Sequence, residues 1–261
     1  MRAELFLRLR AEKPLVLNIT NFVAMNVAAN VLLAAGASPA MACAPEEIAD
    51  LTAISGALTV NFGTLNAEWV VAMRLAAEAA NRAGRPWVFD PVAHQATPYR
   101  GTVVAQLLRL RPAIIRANAS EIIALAGGQA GAAGPDAGDA VEAAEGAARD
   151  LALRLGAVVA VTGAVDFVTD GARACRIAGG SALMPQVTAL GCSLTCLVGA
   201  FAAVAPGDPF EASVAALAAF AAAGAAAEVG ASGPGSFGWR FLDELAALTP
   251  AAVAGACVVP A

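Results

Sequence analysis

Short apolar runs alternate with longer stretches of helical periodicity along most of the chain. Runs at 39–43, 57–61, 86–90, 113–116, 157–162 and 167–170 are four to six residues long, several rich in Val and Ile, and read as strands. Helical spacing of apolar positions predicts helices over 22–35, 45–54, 67–83, 101–110, 120–126 and 139–155. The last carries acidic residues near its start and Arg149 and Arg154 near its end, as the helix dipole favours. From Gly191 onward the pattern is helical and alanine-rich, with helices expected over 191–204, 209–231 and 237–248. Pro206-Gly207-Asp208 and Ser232-Gly233-Pro234-Gly235-Ser236 break them apart. Buried strands alternating with helices predict an α/β fold whose largely parallel sheet is covered on both faces. The Gly- and Ala-rich stretch 127–138 reads as a surface loop, and no linker marks a boundary, so 1–261 is expected to form one domain.

Composition narrows the class. Apolar residues make up 59% of the 261 residues, but the excess is alanine, a strong helix former with little volume, which suits closely packed helices. A chain this long buries roughly 70–75% of its unfolded surface and needs no disulfide staples. The longest apolar run, 214–227 between Glu211 and Glu228, is shorter than the roughly 20 residues that span a bilayer. The first residues alternate charge with apolar side chains and show no signal-peptide core, so a cytoplasmic location without a membrane partner is expected. A net charge of −5 with scattered basic residues argues against nucleic acid as a partner. The five cysteines form no C-x-x-C pair and read as reduced, mostly buried thiols; Cys192 and Cys196 share a helix face, but no His stands nearby to complete a metal site.

Two scarcities exclude more. Lys13, the one lysine, precedes Pro14, so there is no G-x-x-x-x-G-K-[ST] phosphate loop and no plausible pyridoxal Schiff-base lysine. His94, the one histidine, would have to serve any Ser-His-Asp triad, and no G-x-S-x-G elbow occurs. His94 itself reads as a solvated loop residue.

Ligands of open parallel sheets bind at the carboxyl ends of strands, where three polar groups converge: Asp90, Arg116 with Asn118 and Glu121, and Thr162 with Gly163. Asp90 and Glu121 could together hold Mg²⁺ through oxygen; each reads equally well as a helix cap or turn acid. Arg116 could pair with a polyphosphate. The run Val187-Thr188-Ala189-Leu190-Gly191-Cys192 leads directly into an apolar helix, whose first N–H groups make an anion site suited to a transferring phosphoryl group. A cysteine there is expected to have a lowered pKa and could take a proton from an attacking hydroxyl. Gly233-Pro234-Gly235-Ser236-Phe237-Gly238 matches G-x-G-x-x-G, but a helix precedes it, so it reads as a break between helices and not a dinucleotide site.

Taken in order, several blocks resemble the hydroxyethylthiazole kinase family of the ribokinase-like superfamily, over about 14–248. They are Pro14-Leu15-Val16-Leu17-Asn18-Ile19-Thr20-Asn21, Gly36-Ala37-Ser38-Pro39-Ala40-Met41-Ala42, Asn61-Phe62-Gly63-Thr64-Leu65, Asp90-Pro91-Val92, Arg116-Ala117-Asn118-Ala119-Ser120-Glu121, Val161-Thr162-Gly163-Ala164-Val165-Asp166 and Gly233-Pro234-Gly235-Ser236-Phe237. The resemblance implies a three-layer α-β-α fold and ATP-dependent phosphorylation of 4-methyl-5-(2-hydroxyethyl)thiazole in thiamine salvage. By that resemblance Met41, Asn21 and the N–H of Ala189 would contact the thiazole, Arg116, Thr162 and Gly191 would serve ATP, and Asp90 and Glu121 would serve Mg²⁺. Cys192 would be the catalytic residue, where other members of the superfamily carry an aspartate base. A homotrimer with sites at subunit boundaries is likewise implied. The chain departs from the pattern with Ala189-Leu190 before Gly191-Cys192, with Leu17-Asn18 for a His-Ser pair and with Ala93-His94. Rival readings are a hydroxymethylpyrimidine or pyridoxal kinase of the same superfamily, a nicotinamide-dependent oxidoreductase using the 233–238 glycines, and a noncatalytic ligand-binding relative.

Overall fold

The structure, a computed structural model, describes residues 1–128 and 140–261. The expected loop over 127–138 falls, from residue 129 on, outside them. In chain order the elements are α1 (Arg2–Glu12), β1 (Leu15–Ile19), α2 (Met25–Ala35), β2 (Ser38–Met41), α3 (Ile48–Ile54), β3 (Ala57–Asn61), α4 (Ala67–Arg82), β4 (Trp87–Asp90), α5 (Pro98–Leu108), β5 (Ile114–Asn118), α6 (Ala119–Leu125), α7 (Val141–Leu155), β6 (Val158–Thr162), β7 (Val165–Thr169), β8 (Ala174–Ala178), α8 (Leu190–Ala203), α9 (Pro209–Glu228), α10 (Pro234–Ala247), α11 (Pro250–Gly255) and β9 (Cys257–Pro260).

One nine-stranded sheet runs through the described residues in the order β2-β1-β3-β4-β5-β6-β7-β8-β9. The first six in this order are parallel, and β7, β8 and β9 close the far side as an antiparallel extension. Side chains of α1, α2, α8, α9, α10 and α11 form one core against one face. Those of α4 and α5, with Ile48 of α3, and those of α6 and α7 cover the other. This is the expected three-layer α-β-α arrangement.

Local chemistry explains where the helices start. Asn66, Thr97, Asp208 and Thr249 each cap a helix by accepting a backbone N–H, and Pro98, Pro209 and Pro250 occupy first helical positions. Helix α9 is 20 residues long and apolar enough to cross a membrane by length and composition, yet 78% of its apolar window is buried among its neighbours, as in a core helix. At Gly199 of α8 a β-carbon would stand 2.4 Å from Thr59 Cγ2, so glycine there lets the helix lie directly on β3.

The sequence pattern missed five elements. Strand β1 is interrupted by Asn18, whose buried amide is satisfied by the carbonyls of Val16 and Ala40 and by the Thr59 hydroxyl. Strand β8 carries Arg176, which pairs with Glu145 on a partly open face, so its apolar signal is weak. Helices α1 and α11 and the terminal β9 also go unpredicted. Other boundaries shift by a few residues; the helix expected over 45–54, for instance, begins only at Ile48.

Candidate active site

Parallel pairing brings the strand ends into one line. Asn61 of β3 stands opposite Asp90 of β4, and Asn118 of β5 opposite Thr162 of β6. The start of α8 meets this edge, and a continuous polar network joins the two. The Asn21 amide donates to Asn61 Oδ1 at 2.8 Å and lies 3.3 Å from Cys192 Sγ. Asn61 Nδ2 donates to Asp90 Oδ2 at 2.8 Å, and the Thr195 hydroxyl donates to the same oxygen at 2.6 Å. Arg116 Nη1 stands 3.4 Å from it, and Nη2 donates to the Thr162 hydroxyl.

Asp90 is buried, with 1% of its surface exposed, and its second oxygen, Oδ1, has no hydrogen-bond partner among the described residues. Burial pushes its carboxyl up, while Arg116 and the hydrogen bonds from Thr195 and Asn61 pull it back. Glu121 is engaged at both oxygens: Oε2 accepts the Asn118 N–H at 3.0 Å, and Oε1 accepts the Ala93 N–H at 2.7 Å. With Asn118 Oδ1 accepting the Glu121 N–H, this is a full capping box, so the helix-cap reading of Glu121 holds. Burial, then the charge of Asp90, raises the Glu121 carboxyl to about 7.

Among the described residues no cluster of three or more His, Cys, Asp or Glu could cage a metal. The donor set fits Mg²⁺ held mainly by phosphate and water, because the unpaired Asp90 Oδ1 offers one carboxylate oxygen. Each Glu121 oxygen keeps a further lone pair that can hold a metal-bound water.

The helix start is built with strain. Ala189 caps α8 at φ 66°, in the left-handed region, with no side chain capping the free N–H groups. Gly191 passes close to Arg116, which sets the helix start against the guanidinium. Cys192 corrects the expectation of an acidified thiol. Burial and the nearby Asp90 charge push it up and outweigh the hydrogen bond from Asn21 and the charge of Arg116. Cys196 is buried beside it, against Thr59 at 3.6 Å, and Cys175 is buried too; all five cysteines are free. Met41 ends the outer strand β2 at the same edge, half-buried, and is no part of the polar network.

His94 also corrects the sequence reading. It is buried, with Nε2 2.9 Å from the Glu121 carbonyl, and burial lowers its pKa. The glycines of 233–238 open α10, with Gly233 as the cap, as expected for a break between helices. Two site residues escaped the sequence reading. Asn61 is an amide closing an apolar strand, and Thr195 stands three residues after Cys192 on one helix face; both positions carried a signal.

The model of the hydroxyethylthiazole kinase family matches residues 6–251. A hydroxyethylthiazole kinase of Rhizobium johnstonii is 68% identical over 240 residues, covering 92% of this chain and 90% of that protein. The solved hydroxyethylthiazole kinase of Pyrococcus horikoshii superposes with a TM-score of 0.91 at 37% identity, covering 100% of this chain and 98% of that one. A pyridoxal kinase of Staphylococcus aureus, solved with AMP-PCP and pyridoxal, shares the fold alone, with a TM-score of 0.63 at 17% identity over 81% of this chain and 88% of that one. By sequence along nearly its whole length and by architecture, the chain belongs to the hydroxyethylthiazole kinase family.

Proposed function

We propose that this protein transfers the γ-phosphoryl group of ATP to the hydroxyl of 4-methyl-5-(2-hydroxyethyl)thiazole, salvaging the thiazole half of thiamine. The observation that carries the reading is the meeting of Cys192, Asp90 and Arg116 where the N–H groups of α8 face the strand ends. In phosphoryl transfer, positioning and charge neutralisation supply most of the rate. Gly191 and its neighbours offer N–H groups to the transferring group, and Arg116, held by Thr162, offers the guanidinium to ATP. Asp90 would hold Mg²⁺ through its unpaired Oδ1, and Glu121 would hold a water bound to it; the cation would supply charge neutralisation at the phosphate oxygens. Cys192, near the Asn21 amide, is placed to take the proton of the attacking hydroxyl, with Asn21, Met41 and the Ala189 N–H on the thiazole side. A thiol with a raised pKa is a scarce but strong base once ionised, which suits a loose transition state that asks little of it.

One continuous sheet supports one domain over 1–261. A trimer with shared sites is supported by large apolar side chains left open beside Asn21, with Phe22 64% and Val23 57% exposed. Light scattering of the purified protein tests it. The mostly buried α9 supports a soluble enzyme, and the five free cysteines support a reducing, cytoplasmic setting. The deciding experiment is ADP formation with Mg²⁺ and the hydroxyethylthiazole, run beside hydroxymethylpyrimidine and pyridoxal. Thiazole-dependent turnover is expected; its absence overturns the reading.

A further inference from the structure

The geometry points to Thr195 as a positioning residue for Asp90: its hydroxyl fixes the carboxylate so that Oδ1 is presented to the divalent cation that accompanies ATP. The inference rests on the kinase reading above.

Thr195 is completely buried, and its hydroxyl reaches Asp90 Oδ2 at 2.6 Å. Hydroxyls inside helices commonly turn back to the carbonyl four residues earlier. Thr52, Thr102 and Ser213 all do so here. Thr195 instead leaves its helix to reach a strand end.

The donors around Asp90 are distributed unevenly. Thr195, Asn61 and Arg116 all address Oδ2, while the equally buried Oδ1 has no partner among the described residues. A buried acceptor left unpaired costs about 1–3 kcal/mol, so stability alone favours sharing the donors between the two oxygens. Crowding them onto one oxygen orients the other toward a ligand, as supporting hydrogen bonds do for metal-binding carboxylates.

The three donors differ in what they connect. Asn61 is itself held by Asn21 through its Oδ1, and Arg116 contacts Asp90 at the longer distance of 3.4 Å while its other arm engages Thr162. Thr195 alone of the three lies on α8, one turn from Cys192. Its bond therefore ties the helix that carries the anion site to the strand that carries the acid, holding the cation oxygen at a set place relative to the phosphoryl group.

The test compares Thr195→Val, which removes the hydroxyl at near-constant shape, with Thr195→Ser, which keeps it. Thr195→Ala stands in for the valine variant should that one fail to fold. Mn²⁺ is titrated against each protein with ADP present, by calorimetry, and the Mg²⁺ concentration for half-maximal velocity is measured separately. Loss of the hydroxyl is expected to weaken Mn²⁺ binding about tenfold, the lower end for losing support to a metal ligand, with serine restoring it. A purely structural role would lower the melting temperature and leave the Mn²⁺ titration unmoved, which overturns the inference. Because the titration involves no turnover, a wild-type protein inactive on the thiazole overturns the kinase reading alone.

Discussion

The backbone of Gly191 runs so close to the Arg116 side chain that a β-carbon there would stand 3.2 Å from Nη2 and 3.3 Å from Nη1. That contact is tighter than most β-carbon contacts, and the guanidinium is already committed to Asp90 and Thr162. Gly191→Ala is therefore expected to displace the guanidinium and raise the KM for ATP several-fold. Helix propensity favours alanine by up to about 1 kcal/mol, so the variant should stay folded. A melting curve with ATP kinetics separates the two effects; unchanged ATP kinetics would remove the contact from the mechanism.

The raised thiol of Cys192 predicts slow modification at neutral pH. Iodoacetamide at pH 7.5 should label the exposed Cys257 well before Cys192, and the labelling midpoint of Cys192 should lie above the ordinary thiol range of about 8.5. Peptide mass spectrometry across a pH series measures both. Cys192→Ala should lower kcat by roughly 10²-fold, the low end for a general base, without unfolding the protein. Near-normal turnover would take Cys192 out of the reaction.

Ala189 occupies the left-handed region at φ 66°, where an L residue is disfavoured by about 1–2 kcal/mol. Glycine would relieve that strain but gains about 0.4–1 kcal/mol of freedom in the unfolded chain. Ala189→Gly is thus expected to stabilise the protein by about 0.5–1 kcal/mol, raising Tm by about 2 °C. Turnover should be kept or improved, because the backbone N–H stays in place. A lower Tm would show that the strain is relieved some other way.

His94 is the sole histidine, so its titration can be followed as one resonance by proton NMR. Burial lowers its pKa, so in the folded protein its midpoint should fall below 6.5 and return to about 6.5 on unfolding. The sign follows from proton uptake: near pH 6 the unfolded chain binds more protons at this site than the folded one. Its contribution to stability is thus present above pH 6.5 and lost as the pH falls through the unfolded and then the folded value. In His94→Gln this part of the acid-side decline should disappear. A folded-state midpoint at or above 6.5 would contradict the burial argument.

The alternation of apolar runs and helical stretches already determined the layered, parallel α/β class, because each strand's burial and each helix's stripe are written locally. Asp90, Arg116, Thr162 and Gly191-Cys192 were legible for the same reason: each sits where a predicted element ends or begins. Local pattern fails where a residue's partner lies far along the chain. Strand β1 went unpredicted around Asn18, whose buried amide is satisfied by Thr59 and Ala40 from other strands. His94 looked solvated until Glu121, 27 residues on, covered it. The helix dipole argued for an acidic Cys192, but the dipole is one local contribution, while burial and the Asp90 charge come from the packed sheet edge and outweigh it. Thr195 and Asn61 stood at legible places on a helix and a strand, but only the fold set them both on one oxygen of Asp90. Sequence determined which elements form and which residues end them. Tertiary structure decided which polar groups meet and which way each proton leans, since desolvation and pairing depend on neighbours that only packing brings together.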